Sequence, residues 1–252
     1  MLVLEYADGS LRDYLKNHYS NLKSEEKLNI LSCIIKGLEK IHKLNYIHRD
    51  LHSGNILNFN EVQKITDLGL AQSTYNNSNP SSNICGVLPY IAPEILNGKP
   101  YTTASDVYSF GILMTEISTG KPPYGSVSHD TDLALAICNG LRPRVAKGTP
   151  KCYIDVVNQC LDANLDNRPS ASKLNDIINE WQDQNTKFYQ EFINADKISS
   201  QKSSDATLHP QSIYISRFLN VSNFSKPRNS LGVQVEGPEG ICNLNHKYVY
   251  IN

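Results

Sequence analysis

The stretch from Val107 to Ile117 constrains this chain more than any other. Val107, Phe110, Ile112, Leu113, Met114 and Ile117 place apolar side chains on most sides of a helix that starts near Ser105. A helix that is apolar all round has no face to give to water, so it belongs at the centre of a core with other elements packed around it. Gly120 and Pro122-Pro123 end it. At 252 residues the chain is long enough for one or two domains around such a core.

The flanking segments read as mainly helical, with a few short strands that carry loops. Met1 to Tyr6 is short and apolar, as expected of a buried strand, and Asp8-Gly9 breaks it. Ser10 is placed to cap a short helix with Asp13 as its capping-box partner, and Ser24 to cap a longer one. Glu25 and Glu26 complement the positive end of that second helix. Leu28, Leu31, Ile34, Ile35, Leu38 and Ile41 then recur at helical spacing. Ile56-Leu57 and Val62 to Thr66 read as two strands around an Asn60-Glu61 turn. Asp130 to Cys138 is a candidate helix. Thr149-Pro150 opens a helix to Leu161, and Leu174, Ile177, Ile178 and Trp181 mark another. From about Asp183 the pattern degrades. The segment 184–252 is expected to be mostly disordered, although Phe188, Tyr189, Phe192 and Ile193 can form a further amphipathic turn or two, and Ile213, Phe218 and Leu219 can dock.

Composition removes several classes of function. A net charge of −1 does not suggest binding to nucleic acid or to an anionic membrane. No apolar run approaches the ~20 residues of a membrane span, and Met1 to Leu4 stops at Glu5, too short for a secretory signal. Cys33, Cys85, Cys138, Cys152, Cys160 and Cys242 are scattered with no metal-ligand spacing, as expected of reduced thiols in a cytoplasmic protein. Three glycosylation-like triplets, at Asn76, Asn220 and Asn223, read as polar loop sequence.

Chemistry is concentrated in His48-Arg49-Asp50-Leu51-His52-Ser53-Gly54-Asn55, followed by Asp67-Leu68-Gly69 and Ala92-Pro93-Glu94. An isolated Asp or Asn would be read as a turn residue; the joint order and spacing outweigh that reading. These three motifs together resemble the catalytic half of a eukaryotic protein kinase, over roughly Met1 to Asp183. The run from Gly86 to Glu94 resembles the tyrosine-kinase-like group, whose members mostly phosphorylate Ser or Thr.

The resemblance implies a protein-kinase-like (α+β) fold, here a mainly α-helical large lobe at 1–183 with the small β-rich lobe absent and a tail at 184–252. It implies transfer of the ATP γ-phosphate to protein hydroxyls with Mg²⁺ as cofactor. Asp50 is then the catalytic aspartate, accepting the substrate proton; Asn55 and Asp67 are metal ligands, hard oxygen donors suited to Mg²⁺. By the same resemblance His48 packs beneath Asp67, and Arg49 pairs with a phosphorylated activation loop. Leu4 is implied as gatekeeper, Glu5, Tyr6 and Ala7 as hinge, and Leu57 as the floor of the adenine pocket. Glu94 and Arg168 are implied as the large-lobe ion pair, and Asp106 as the anchor of the catalytic loop. Ser73, Thr74, Tyr75, Ser78, Ser81 and Ser82 are candidate phosphorylation sites between Asp67 and Glu94.

The sequence departs from the family in places. It has no Gly-x-Gly-x-x-Gly loop, strand lysine or partner glutamate, and on this reading it begins at the hinge. Leu68 replaces the usual Phe, and His52 stands where Ser/Thr kinases have Lys. A large lobe alone exposes apolar surface that a protein partner could cover. Two readings follow, a clipped enzyme and a catalytically silent binding module; retention of Asp50, Asn55 and Asp67 favours the enzyme.

Overall fold

The computed structural model describes residues 6–76, 84–198, 208–219 and 226–229. Met1 to Glu5, including the gatekeeper and hinge positions Leu4 and Glu5, and the candidate sites Ser78, Ser81 and Ser82 lie outside them.

Gly9–Ser10 (β1) leads into α1 (Leu11–His18), and the capping box forms as the sequence predicts. Ser10 Oγ donates to Asp13 Oδ2 at 2.6 Å and accepts the Asp13 amide at 3.2 Å. The long helix α2 (Ser24–Lys43) starts one residue earlier than expected. Ser24 is its first residue rather than its cap, and Glu26 accepts the Lys23 amide at 2.7 Å. The Ser24 amide and hydroxyl are instead taken by the carboxylate of Asp196, at 3.0 and 2.7 Å. A partner that distant in sequence leaves no local trace. Tyr46–Ile47 (β2) and the polar loop 48–55 follow, then the hairpin β3 (Ile56–Phe59) and β4 (Val62–Ile65). The strand order is β1-β3-β4, with Ser10 opposite Leu57 and Phe59 opposite Val62. Gln72–Ser73 (β5) pairs antiparallel with β2.

Ile84–Gly86 (β6) and the short α3 (Pro93–Leu96) lead to α4 (Thr103–Thr119). The apolar helix is where its composition puts it, with every residue from Ser105 to Thr119 buried. It ends at Gly120, whose φ of +67° suits glycine, and a Cβ there would lie 2.1 Å from Cγ of Tyr19. Around it pack α2, α6 (Lys151–Cys160) and strand β2, while α7 (Ala171–Gln182) lies along α2 and α5 (Thr131–Cys138) against α3. Pro150, not Thr149, stands just before α6; the Thr149 hydroxyl donates back to the Ala146 carbonyl at 2.7 Å. Glu94 and Arg168 are buried and form a two-pronged ion pair, both contacts at 2.7 Å. Arg168 also donates to the carbonyls of Asp162 and Ala104, so its fork is well partnered.

Two parts of the segment 184–252 are ordered, at the places where the sequence allowed an amphipathic turn and a docking residue. Helix α8 (Lys187–Ile198) packs on α2 and α7 because Phe192, 4% exposed, completes an aromatic cluster with Trp181 and Tyr153 at ring separations of 5.5 and 6.3 Å. Arg217–Leu219 (β7) pairs antiparallel with β6, with Ile84 opposite Leu219 and Gly86 opposite Arg217. Among the described residues no helix is long and apolar enough to cross a membrane.

Two stability outcomes follow. Glu94→Gln leaves the buried Arg168 charge short of its counter-ion and should cost about 3–5 kcal/mol in urea unfolding; a loss under about 1 kcal/mol would mark a screened surface pair instead. The second concerns Lys27, whose ammonium lies 4.3 Å from the Tyr19 ring centroid. Burial draws its pKa from the ordinary 10.5 to about 8, against the opposing pull of Asp196. The folded chain therefore binds fewer protons than the unfolded one between those values, and the penalty is complete below them. Lys27→Met should exceed the native chain in urea midpoint below pH 8, with the margin shrinking as pH rises toward 10.5. A margin that grew with pH would refute this.

Candidate active site

The loop 48–55 is held from below by the central helix. Asp106, 1% exposed, accepts the backbone amides of His48 at 2.8 Å and Arg49 at 2.9 Å, and the His42 Nε2–H at 2.9 Å. A carboxylate is the side chain that can take so many donors at once. Arg49 sits at φ +72°, an unfavourable region for a side chain of its size. The two amide bonds to Asp106 hold it there.

Above this anchor His48 is fully buried. Its Nε2–H donates to the Thr66 carbonyl at 3.0 Å, and its Nδ1 accepts the Asp50 amide at 3.3 Å. Asn55 donates through Nδ2 to the Asp50 carbonyl at 3.0 Å and to Asp50 Oδ2 at 3.2 Å. The Asn55 carbonyl accepts both the amide and the hydroxyl of Thr66 at 2.9 Å. Thr66 is thus tied to the loop at both ends, and Asp67 is the next residue. Asp67 adopts φ +57°, its Oδ1 accepts the Gly69 amide at 3.2 Å, and its side chain is exposed. The sequence-predicted positions 48, 50 and 55 are therefore hydrogen-bonded into one patch, and Asp67 adjoins it through Thr66, which the sequence reading did not single out.

Asp50 is 6% exposed. Burial acts to raise its pKa, but the hydrogen bonds from His52 and Ser216 and the nearby imidazoles of His52 and His48 outweigh it and hold the carboxyl below its ordinary value. Asp50 is ionised at neutral pH on that account. His52 accepts the Gly54 amide at Nδ1, 3.0 Å away, which leaves its Nε2–H directed at Asp50 Oδ2, 3.6 Å away, and Ser216 Oγ, 3.3 Å away.

Arg49 donates to Gln72 Oε1 at 2.8 Å and lies 4.5 Å from the Tyr101 ring centroid. Of the candidate phosphorylation sites described, Ser73 lies in β5, Thr74 and Tyr75 follow it, and Tyr75 is 80% exposed. Tyr6 is almost wholly exposed, Ala7 is half-buried, and Leu57 is half-buried in β3.

Two supports escaped the sequence reading. Glu116 of α4 is buried and accepts from Ser53 Oγ at 2.9 Å and Tyr90 OH at 2.6 Å, while Arg12 Nε donates to Ser53 at 3.2 Å. Burial raises the Glu116 pKa, and Tyr90, Arg12 and Ser53 oppose it. A lone charge inside the apolar stretch was the signal available for it. The second is Ser216, whose Oγ donates to Asp50 Oδ2 at 2.5 Å. Nothing local marks that serine.

Comparison with known proteins matches residues 1–178 to the family model for protein tyrosine and serine/threonine kinases. A probable serine/threonine-protein kinase of Dictyostelium discoideum is 37% identical over 181 residues, covering 69% of this chain and 17% of that protein. Serine/threonine-protein kinase STY17 of Arabidopsis thaliana is 30% identical, over 68% of this chain and 30% of its own length. Ephrin type-A receptor 3 of Danio rerio is 34% identical, over 71% of this chain and 18% of its own length. The chain thus spans less than a third of each of these relatives. The matched span takes in the whole of the loop anchored by Asp106 as well as the Glu94–Arg168 pair, and the chain belongs to the protein kinase family.

Proposed function

We propose that this chain is the large lobe of an ATP- and Mg²⁺-dependent protein kinase that phosphorylates Ser or Thr hydroxyls. The observation that carries the reading is Asp50, a buried carboxylate bound by Asn55 on a loop locked to the central helix through Asp106. Asp50 accepts the proton of an acceptor hydroxyl as the new bond forms. Asn55 and Asp67 fit a Mg²⁺ ion by chemistry. Nδ2 of Asn55 is committed to Asp50, which turns Oδ1 the other way, and the Asp67 carboxylate gives up only one oxygen, to the Gly69 amide. Magnesium-ATP, when bound, supplies the phosphoryl group and the cation that neutralises it.

Glu5, Tyr6, Ala7 and Leu57 are assigned to the adenine side of the site. Arg49, now on Gln72 and Tyr101, is assigned to capture a phosphate placed on the segment between Asp67 and Glu94, with Ser73, Thr74 and Tyr75 as nearby acceptors. The Gly-rich loop and strand lysine, which this sequence does not contain, are assigned to a small lobe outside it. The preference for Ser or Thr rests on the names of the Dictyostelium and Arabidopsis relatives and on the run Gly86 to Glu94, which resembles the tyrosine-kinase-like group.

In the protein expressed from its own complete reading frame, γ-labelled ATP should transfer label to a protein acceptor. Asp50→Asn should slow that transfer by at least about a hundredfold. Equal labelling by the variant rejects the assignment, and label recovered mainly on tyrosine rejects the Ser/Thr preference.

A further inference from the structure

The segment 208–219 lies across the site rather than beside it. Its backbone is fastened at several points. The His209 amide donates to the Gly125 carbonyl at 2.8 Å, and the His129 amide to the Gln211 carbonyl at 3.1 Å. His129 Nδ1–H donates to the Ile213 carbonyl at 2.9 Å, and Arg12 donates to the Tyr214 carbonyl at 3.0 Å. Beyond Ser216 the chain becomes β7, and Arg217 donates to the His129 carbonyl.

Side chains alternate around Ile215, and the phase shifts on entering β7. Tyr214 turns inward, its ring 5.0 Å from the Arg12 guanidinium and its hydroxyl on the Pro123 carbonyl at 2.8 Å. Ile215 turns outward, 76% exposed; Ser216 turns inward onto Asp50; Phe218 is 72% exposed and Leu219 is buried. Gly86, at φ +150°, pairs with Arg217, and a Cβ at Gly86 would already stand 3.4 Å from Asp50 Oδ1. Ser216 stands just before the first paired residue, Arg217, and its own hydrogen bond sets it against the Asp50 carboxylate. This is the placement required of an acceptor hydroxyl, with the donor group at hydrogen-bond distance from the base.

We infer that Ser216 is a phosphorylation site of this chain's own active site, presented in cis by the 208–219 segment. This inference rests on the kinase reading above. Ser216 Oγ forms the new bond to the γ-phosphorus of ATP as the γ-phosphorus bond to the β,γ-bridging oxygen breaks. ADP leaves with that electron pair, and the Ser216 proton passes to Asp50 Oδ2. The product cannot stay where the alcohol was. A phosphoserine carries a charge of about −1.5 to −2 and three oxygens in place of one proton, and once Asp50 has passed its proton to water the phosphate would be set against a carboxyl oxygen that lies only 2.5 Å from the serine Oγ. Transfer to Ser216 thus releases the strand from Asp50 and opens the site to protein acceptors.

The test uses the full-length protein with Mg²⁺-ATP and casein as a second acceptor. Site-resolved mass spectrometry should find phosphate on Ser216 in the native protein and none there in Asp50→Asn or Ser216→Ala. The rate should be independent of protein concentration. A second readout needs no nucleotide: Ser216→Glu sets a carboxylate against Asp50 and should speed amide exchange at 84–86 and 211–219 by at least about tenfold. Label on casein with none on Ser216 overturns the inference and leaves the kinase reading standing. A rate on Ser216 that scales with protein concentration overturns its presentation in cis. Unchanged exchange in Ser216→Glu overturns release by charge, and label on neither acceptor overturns both readings.

Discussion

Everything at the site depends on the Asp106 carboxylate. Two adjacent backbone amides, at His48 and Arg49, point into the protein interior, where an unmet donor is costly. Asp106 meets both and takes His42 as well. The left-handed backbone at Arg49 persists because those amides have one acceptor within reach, and that backbone turns the following Asp50 toward Asn55. The acceptor can be rigid only if the helix that carries it is rigid. The apolar girth of α4 and the positioning of Asp50 are therefore one requirement seen at two depths.

From that anchor, order spreads through hydrogen bonds that cross between elements. His48 reaches Thr66, Thr66 reaches Asn55, and Asn55 returns to Asp50. The circuit closes over two segments separated by the β3–β4 hairpin, so the hairpin's register decides where Asp67 stands. Glu116 adds a second tether from the same helix, through Ser53. Two carboxylates of the one helix thus hold the loop at His48–Arg49 and again at Ser53, while the Asp67 side chain stays exposed.

Much of this was legible in the sequence because the physics was local. Apolar residues on all sides announced α4, Ser10 and Asp13 announced a capping box, and the strands around Asn60-Glu61 were visible as alternation ended by a turn. The positions of His48, Asp50, Asn55 and Asp67 came from order and spacing, which the folded chain brings into one patch. What escaped was long-range. Ser24 looked like a cap until Asp196 arrived from the tail. In the mostly polar tail the sequence marked Phe192 and Leu219 as able to pack, and both are buried; Tyr214 and Ser216, which hold the segment just before β7, were not marked. Burial of those few depends on surfaces that exist only after the lobe has folded.

Strand β7 also bears on what any other peptide must overcome to reach the β6 edge. It adds to β6 through main-chain bonds, a mode of recognition open to any extended peptide. Further hold comes from the chain just before the strand, through the Arg12 and Pro123 contacts of Tyr214. A tethered strand acts at an effective concentration of roughly millimolar, so a free protein acceptor of comparable intrinsic affinity would find the cleft taken. Competition of that kind is relieved by anything that weakens the tethered strand without altering the cleft. A charge placed at Ser216 acts at the one inward position that meets a carboxylate, so it weakens the tethered strand alone and leaves the β6 edge free to pair again.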